Sequence, residues 1–197
     1  HGRRGAGELL GDEQSGHIQT VGFAMFMEML NKAVKAIEEG KTPDLNEPLD
    51  PVSEVNLHIP AIITSDYIPD PQTRLMLYKR IASAANESAL NELQIEFVDR
   101  FGPLPQPLHN LFKITAIKLR AIKLGIRKID LGDRGGKIEF QLPSKIEPMK
   151  IIKLVQNNPK EFKLRGSDIL GIMKEQADGQ ARVIWLTELL ADFEQAS

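Results

Sequence analysis

The chain has 197 residues and a formal net charge of -2, enough to bury a hydrophobic core without disulfide or metal staples. It has no cysteine, which excludes a disulfide framework, a thiolate nucleophile and Cys-ligated zinc. The near-neutral charge argues against a whole-surface nucleic-acid binder but allows local patches, and no apolar run is long enough to span a bilayer.

The first stretch, RGAGELLGDEQSGHI (Arg4–Ile18), holds four glycines. Gly11 and Gly16 have the spacing of a P-loop, but His17 and Ile18 stand where lysine and a hydroxyl residue are required. The dinucleotide fingerprint fails as well, since Leu10 occupies the place of the third glycine. Read by its residues, this is a solvated end. In TVGFAMFMEMLNKAVKAIEEG, Phe26, Met29, Leu30, Ala33, Val34 and Ile37 recur at helical spacing, and Gly40 is placed to stop the helix. The polar stretch 41–54, with Pro43, Pro48 and Pro51, reads as a linker. The chain therefore divides into a loop and helix over 1–40, a linker over 41–54 and a domain over 55–197.

EVNLHIPAII alternates Val55, Leu57 and Ile59 against Asn56, His58 and Pro60, the pattern of a strand that Pro60 assigns to an edge or a strand end. A helix follows from Asp70 as cap and Pro71 in the first turn, with Leu75, Tyr78, Ile81 and Ala82 as its buried stripe. NESALNELQIEFVDRFG is a second helix between Asn86 and Gly102, its inner face formed by Leu90, Leu93, Phe97, Val98 and Phe101. A third is entered through Pro103, Pro105 and Pro107 and ended by Gly125. IRKIDLGDRGGKIEFQL reads as a β-hairpin around its glycines. EPMKIIKLVQNNP is a short helix, and EFKLRGSDILGIMKE a second strand pair turning near Gly166. A last helix packs Ile184, Leu186, Leu189, Leu190 and Phe193 inward. Strands gathered in hairpins predict an α+β fold: helices on a small, mainly antiparallel sheet, preceded by a loop and one long helix.

No residue set meets the demands of a catalytic site. His1, His17, His58 and His109 form no metal-ligand pair, and His58 reads as a solvated side chain on the polar side of its strand. Two charge features remain. Glu92, Glu96 and Asp99 gather on the outer face of the second helix, where like charges at spacings of four and three repel. By residue pattern, a plain solvated face is preferred to a docking ridge for arginines. The second feature is Lys113, Lys118, Arg120, Lys123, Arg127 and Lys128, with no acid between them. It can contact nucleic-acid phosphates or balance neighbouring acidic helices. The latter is preferred, since no aromatics interleave for stacking.

RGAGELLGDEQSGHI followed by VGFAMFMEML resembles the translocation motif shared by RecG-type helicases and the bacterial transcription-repair coupling factor family. IPDPQTRLMLYKRIASA, VDRFGPLP, KLGIRKI and GGKIEF resemble the C-terminal domain of that coupling factor family. The resemblance implies a piece of an ATP-driven double-stranded DNA translocase. That machine uses ATP and magnesium, pushes stalled RNA polymerase and recruits UvrA. Its ATPase lobes lie upstream, so no cofactor is expected in this piece, and it is expected to be no enzyme itself. Arg4 and Gln14 match the arginine and glutamine that couple hydrolysis to movement; without the lobes their role is latent. The family has apolar residues before RGAG where this chain begins His-Gly-Arg, so the helicase strand is expected to be truncated. The implied role is a regulatory clamp. It docks on the protein's own N-terminal UvrB-like module and hides the UvrA-binding surface, in the cytoplasm and with no membrane partner. In the family, acids before RFG face arginines of that module and match Glu96 and Asp99, which turns the preference toward the acidic ridge. The alternative is an auxiliary DNA-binding module that uses Lys113, Lys118, Arg120 and Lys123.

Overall fold

The computed structural model describes residues 53–195. Arg4, Gln14, His1, His17, the helix expected before Gly40 and most of the linker lie outside the described residues. The fold is α+β, with five helices and a five-stranded mixed sheet among the described residues. These residues form two compact units, one over 59–116 and one over 53–58 with 117–195.

In the first unit, helix α1 spans Pro71–Ala82. Asp70 starts it by accepting from the Thr73 amide at 3.0 Å and the Thr73 hydroxyl at 2.6 Å. Its inner stripe is Arg74, Leu77, Tyr78 and Ile81, while Leu75 is half-buried and Ala82 exposed. The expected stripe thus had its first and last members wrong, because the helix is rotated to send Arg74 inward. There Nη1 of Arg74 donates to the carbonyls of Ile68 and Pro69, at 2.7 and 3.0 Å. Those bonds fold the loop before α1 back over the helix and satisfy part of a buried charge. The buried Tyr78 hydroxyl accepts from the Ile63 amide at 2.8 Å, and burial pushes the phenol up to about 12.

Helix α2 spans Glu87–Phe101. Asn86 caps it by accepting from the Ala89 amide at 2.8 Å, and Gly102, at φ 93°, ends it. Leu90, Leu93 and Phe97 are buried; Phe101 is half-buried, and Val98 is exposed where an inward position was expected. Three aromatic rings close the core side of α2. Phe97 meets Phe101 and Phe112 edge to face at 6.1 and 5.5 Å, a favoured geometry for ring quadrupoles. The Tyr67 hydroxyl donates to the Gly102 carbonyl at 2.8 Å and ties down the helix end. Helix α3 spans Gln106–Leu124, with residues to Ala116 in the first unit and the rest in the second.

In the second unit, strands β1 (Glu54–Asn56), β2 (Ile126–Gly132), β3 (Gly135–Phe140), β4 (Phe162–Arg165) and β5 (Ile169–Ile172) run in the order β1-β2-β3-β5-β4. The β2–β3, β3–β5 and β4–β5 pairs are antiparallel, and β1 joins the edge in parallel with β2. Pro60 correctly pointed to an edge strand, but the strand ends at Asn56 and His58 lies beyond it at φ 54°. Gly136 is required by a close approach, since a Cβ there would collide with the Asp130 carbonyl. Helix α4 spans Pro148–Asn157, and α5, Gly179–Glu194, packs against β2. In α5, Leu186, Leu189, Leu190 and Phe193 are buried as expected, but Ile184 is exposed and Arg182 takes an inner position.

Arg182 is 2% exposed. Its guanidinium donates to the carbonyls of Gln176 (2.7 Å) and Leu57 (3.1 Å) and to the Asp133 carboxylate (2.8 Å). One side chain thus joins the segment after β1, the β2–β3 turn and the start of α5. Arginine suits this junction because it offers five donors and no acceptor.

Candidate docking surface

The outer face of α2 carries Glu92, Ile95, Glu96, Val98 and Asp99. Its orientation follows from the opposite stripe, since burying Leu90, Leu93 and Phe97 turns these positions outward. Glu92 and Asp99 are exposed and have no ion-pair partner among the described residues. Between them Ile95 is 63% and Val98 45% exposed. The face is therefore an apolar centre with a carboxylate toward each end.

Glu96 behaves differently. Arg80 of α1 reaches across and grips it with both ends of its fork, Nη1 to Oε2 at 2.5 Å and Nη2 to Oε1 at 2.9 Å. Arg100, one turn on, adds a third bond to Oε2 at 3.0 Å. Hydrogen bonds from Arg80, then Arg100, pull the Glu96 carboxyl down to about 2. Of the three acids, the middle one is thus committed within the unit. Arg100 also lies over the Phe101 ring, 4.8 Å from its centre.

The cations of the proposed stripe are dispersed in role. Lys113 is half-buried on α3 in the first unit. Beside it, burial and then the Lys113 charge hold the His109 imidazole below its usual range. In the second unit Lys118 is half-buried and has a partner. Arg120 forks onto Glu194 of α5 at 2.6 and 2.9 Å and donates to the Thr187 carbonyl at 3.2 Å. Lys123 is exposed. Arg127 donates to Glu139 at 2.9 Å and lies 3.6 Å from Asp168. Lys128 stands across from Glu139 on the sheet. Two of the arginines therefore neutralise acids of their own unit, and the six cations do not form one free surface.

Sequence reasoning missed three arrangements. Arg80 approaches Glu96 across sixteen residues of chain, a separation at which helical periodicity carries no signal. Arg182 was hidden in a helix read only for its apolar positions. His58, read as solvated, bonds Asp130 through Nε2 at 2.6 Å; this pairing exists only because the parallel register sets Asn56 beside Asp130. Among the described residues, no three His, Asp or Glu side chains gather to hold a metal ion, and no helix is long and apolar enough to cross a membrane.

Comparison with known proteins identifies this surface's context. A family model described as the TRCF domain matches residues 57–151. The transcription-repair-coupling factor of Escherichia coli (strain K12) is 41% identical over 192 residues, covering 98% of this chain and 17% of the relative. That of Haemophilus influenzae is 42% identical over 187 residues, covering 95% of this chain and 16% of the relative. The chain therefore spans about a sixth of the length of these curated relatives. A solved crystal structure, of the C-terminal domain of transcription-repair coupling factor, has the same fold. Its TM-score is 0.59 at 22% identity, over 74% of this chain and 96% of that one. Identity at this level along almost the whole length, together with the domain match, shows that the chain belongs to the transcription-repair coupling factor family and carries its TRCF domain.

Proposed function

We propose that this chain is a non-catalytic regulatory domain. It docks through the outer face of α2 on a cationic surface of the longer protein's own UvrB-like module and masks the surface that binds UvrA. The observation that carries the reading is the pair of exposed carboxylates, Glu92 and Asp99, left without an ion-pair partner among the described residues on a face whose other acid is already neutralised. Carboxylates held outside the core at fixed helical spacing favour a partner bearing arginines and disfavour one bearing acids. Exposed pairs of this kind are individually weak and screened by salt, as suits a latch that must open.

In the same reading, the engine is the rest of the protein: a double-stranded DNA translocase acting on RNA polymerase in the cytoplasm. ATP and magnesium belong to its lobes, with Arg4 and Gln14 coupling hydrolysis to movement. The described residues contribute no step to that chemistry.

The test is a calorimetric titration of the 197-residue chain into the isolated UvrB-like module. Binding is expected to weaken as salt rises. Glu92→Lys with Asp99→Lys is expected to weaken it about tenfold or more, by replacing attraction with repulsion. Unchanged affinity overturns the reading. In the full-length protein the same pair should raise UvrA binding, since loosening the closed state shifts the population toward the open one.

A further inference from the structure

We propose that the open face of the five-stranded sheet is a second binding surface, one that takes the phosphate backbone of double-stranded nucleic acid. The opposite face is core: Ile129, Leu131, Ile138, Phe140, Leu170 and Ile172 are all buried. The two-residue period of a strand sends their neighbours to the open side. Strand register arranges those neighbours in two rows. One runs Asp130, Lys137, Gly171, Lys163, and the other Lys128, Glu139, Ile169, Arg165.

The acids in these rows are occupied. Asp130 bonds His58 at 2.6 Å. Glu139 accepts from Arg127 at 2.9 Å and lies 3.4 Å from Lys137, and those bonds, Arg127's first, hold its carboxyl below the usual range. Glu54 of β1 stands beside Lys128 in register. Arg134, Lys163 and Arg165 are exposed and have no ion-pair partner among the described residues. This face therefore keeps a surplus of cations.

Gly171 shapes the surface. A Cβ there would sit 3.2 Å from Arg165 Nε and 3.5 Å from its Cζ. Bare backbone in mid-strand lets the guanidinium lie down across the sheet. It then borders a shallow recess of about 460 Å3 together with Arg134, Lys137 and Gly136, with Asp130 at one side. A guanidinium offers only donors, in a planar fork that matches phosphate oxygens. Neither row contains an aromatic side chain, so the surface has no platform for stacking unpaired bases. Ile169 is the single large apolar residue in the two rows, and Ile172 and Met173 complete the lining of the recess. A surface that grips by charge and cannot stack fits the backbone of a duplex, irrespective of base sequence.

The experiment is fluorescence anisotropy of a labelled DNA duplex of about 20 base pairs with the 197-residue chain, titrated across salt. Binding is expected at about 50 mM salt and should fall with a log–log slope of about -3. Arg134→Glu with Arg165→Glu should weaken it about tenfold or more and reduce the slope by about 2. Arg165→Gln, which removes the charge but keeps a polar, shorter side chain, should reduce the slope by about 1. Circular dichroism of each variant checks that the fold is kept. Lys113→Ala with Lys123→Ala on α3 should leave binding unchanged. The proposal is overturned by no binding at low salt, by unchanged binding in the folded Arg134/Arg165 variant, or by loss in the α3 variant instead. A single strand that binds as tightly as the duplex, or polyglutamate that displaces the duplex as effectively as unlabelled DNA, overturns the choice of ligand.

Discussion

The outer face of α2 and the open face of the sheet solve opposite versions of one electrostatic problem. On α2, Arg80 and Arg100 are both spent on Glu96, and the charges left over are the carboxylates of Glu92 and Asp99. On the sheet, His58, Arg127 and Lys137 are spent on Asp130 and Glu139, and the charges left over are Arg134, Lys163 and Arg165. Counting residues of either sign along the chain does not distinguish the two. A net charge of -2 conceals one acidic and one basic surface, because pairing within each unit decides which sign remains available to a partner.

The largest test of this contrast removes what holds α2 in place. Phe97→Ala deletes a ring with no exposed area, together with two edge-to-face contacts. It should cost about 4 kcal/mol, measured by urea denaturation, and abolish docking on the UvrB-like module. If docking survives with the first unit unfolded, the acid face does not depend on the helix at all.

Next is Arg182→Met, which leaves the Leu57 and Gln176 carbonyls without their guanidinium donor. It should cost about 3 kcal/mol. Trp185, the single tryptophan, lies in the second unit against Phe162, so its fluorescence should register the earlier transition. An unchanged midpoint would show that Arg182 does not hold that unit together.

A smaller effect is expected at the start of α2. Asn86→Ala removes the cap on the Ala89 amide and should cost about 1 kcal/mol. It should also speed hydrogen exchange in the first turn, near Glu92, more than at Asp99.

The smallest effect concerns the clamp on Glu96. Its carboxyl titrates at about 2 in the folded chain against 4.5 for the free group. A depressed folded value means that the stabilisation is present above the unfolded pKa and is lost as pH falls through the folded one. The melting temperature of the wild type should therefore exceed that of Glu96→Gln near neutrality, and the gap should close between pH 4.5 and about 2. A gap that stays constant through that window would show that the arginines do not hold the charged form.

Much of the architecture was readable because it is local. Asn86 and Gly102 bracket α2, Asp70 and Pro71 open α1, and the glycines of the 126–142 stretch mark a hairpin; each signal acts within a few residues. The acid ridge was legible for the same reason, since helical periodicity alone sends Glu92, Glu96 and Asp99 away from Leu90 and Phe97. Failures fell where a contact joins distant segments. Val98 and Ile184 are apolar and helical yet exposed, while Arg74 and Arg182 are charged and buried. Position on a helical wheel does not say how wide the covering neighbour is, nor whether carbonyls wait beneath a charged side chain.

The amino-acid sequence by itself determined the helices, the hairpins and the placing of three acids on the outer face of α2, because propensities, caps and periodicity operate between residues close along the chain. Only the tertiary structure decided which of those charges stay available. Arg80 meets Glu96 across sixteen residues and His58 meets Asp130 across seventy-two. Pairings at that range depend on packing and strand register, and they leave Glu92 and Asp99 on one face and Arg134, Lys163 and Arg165 on the other as groups a partner can reach.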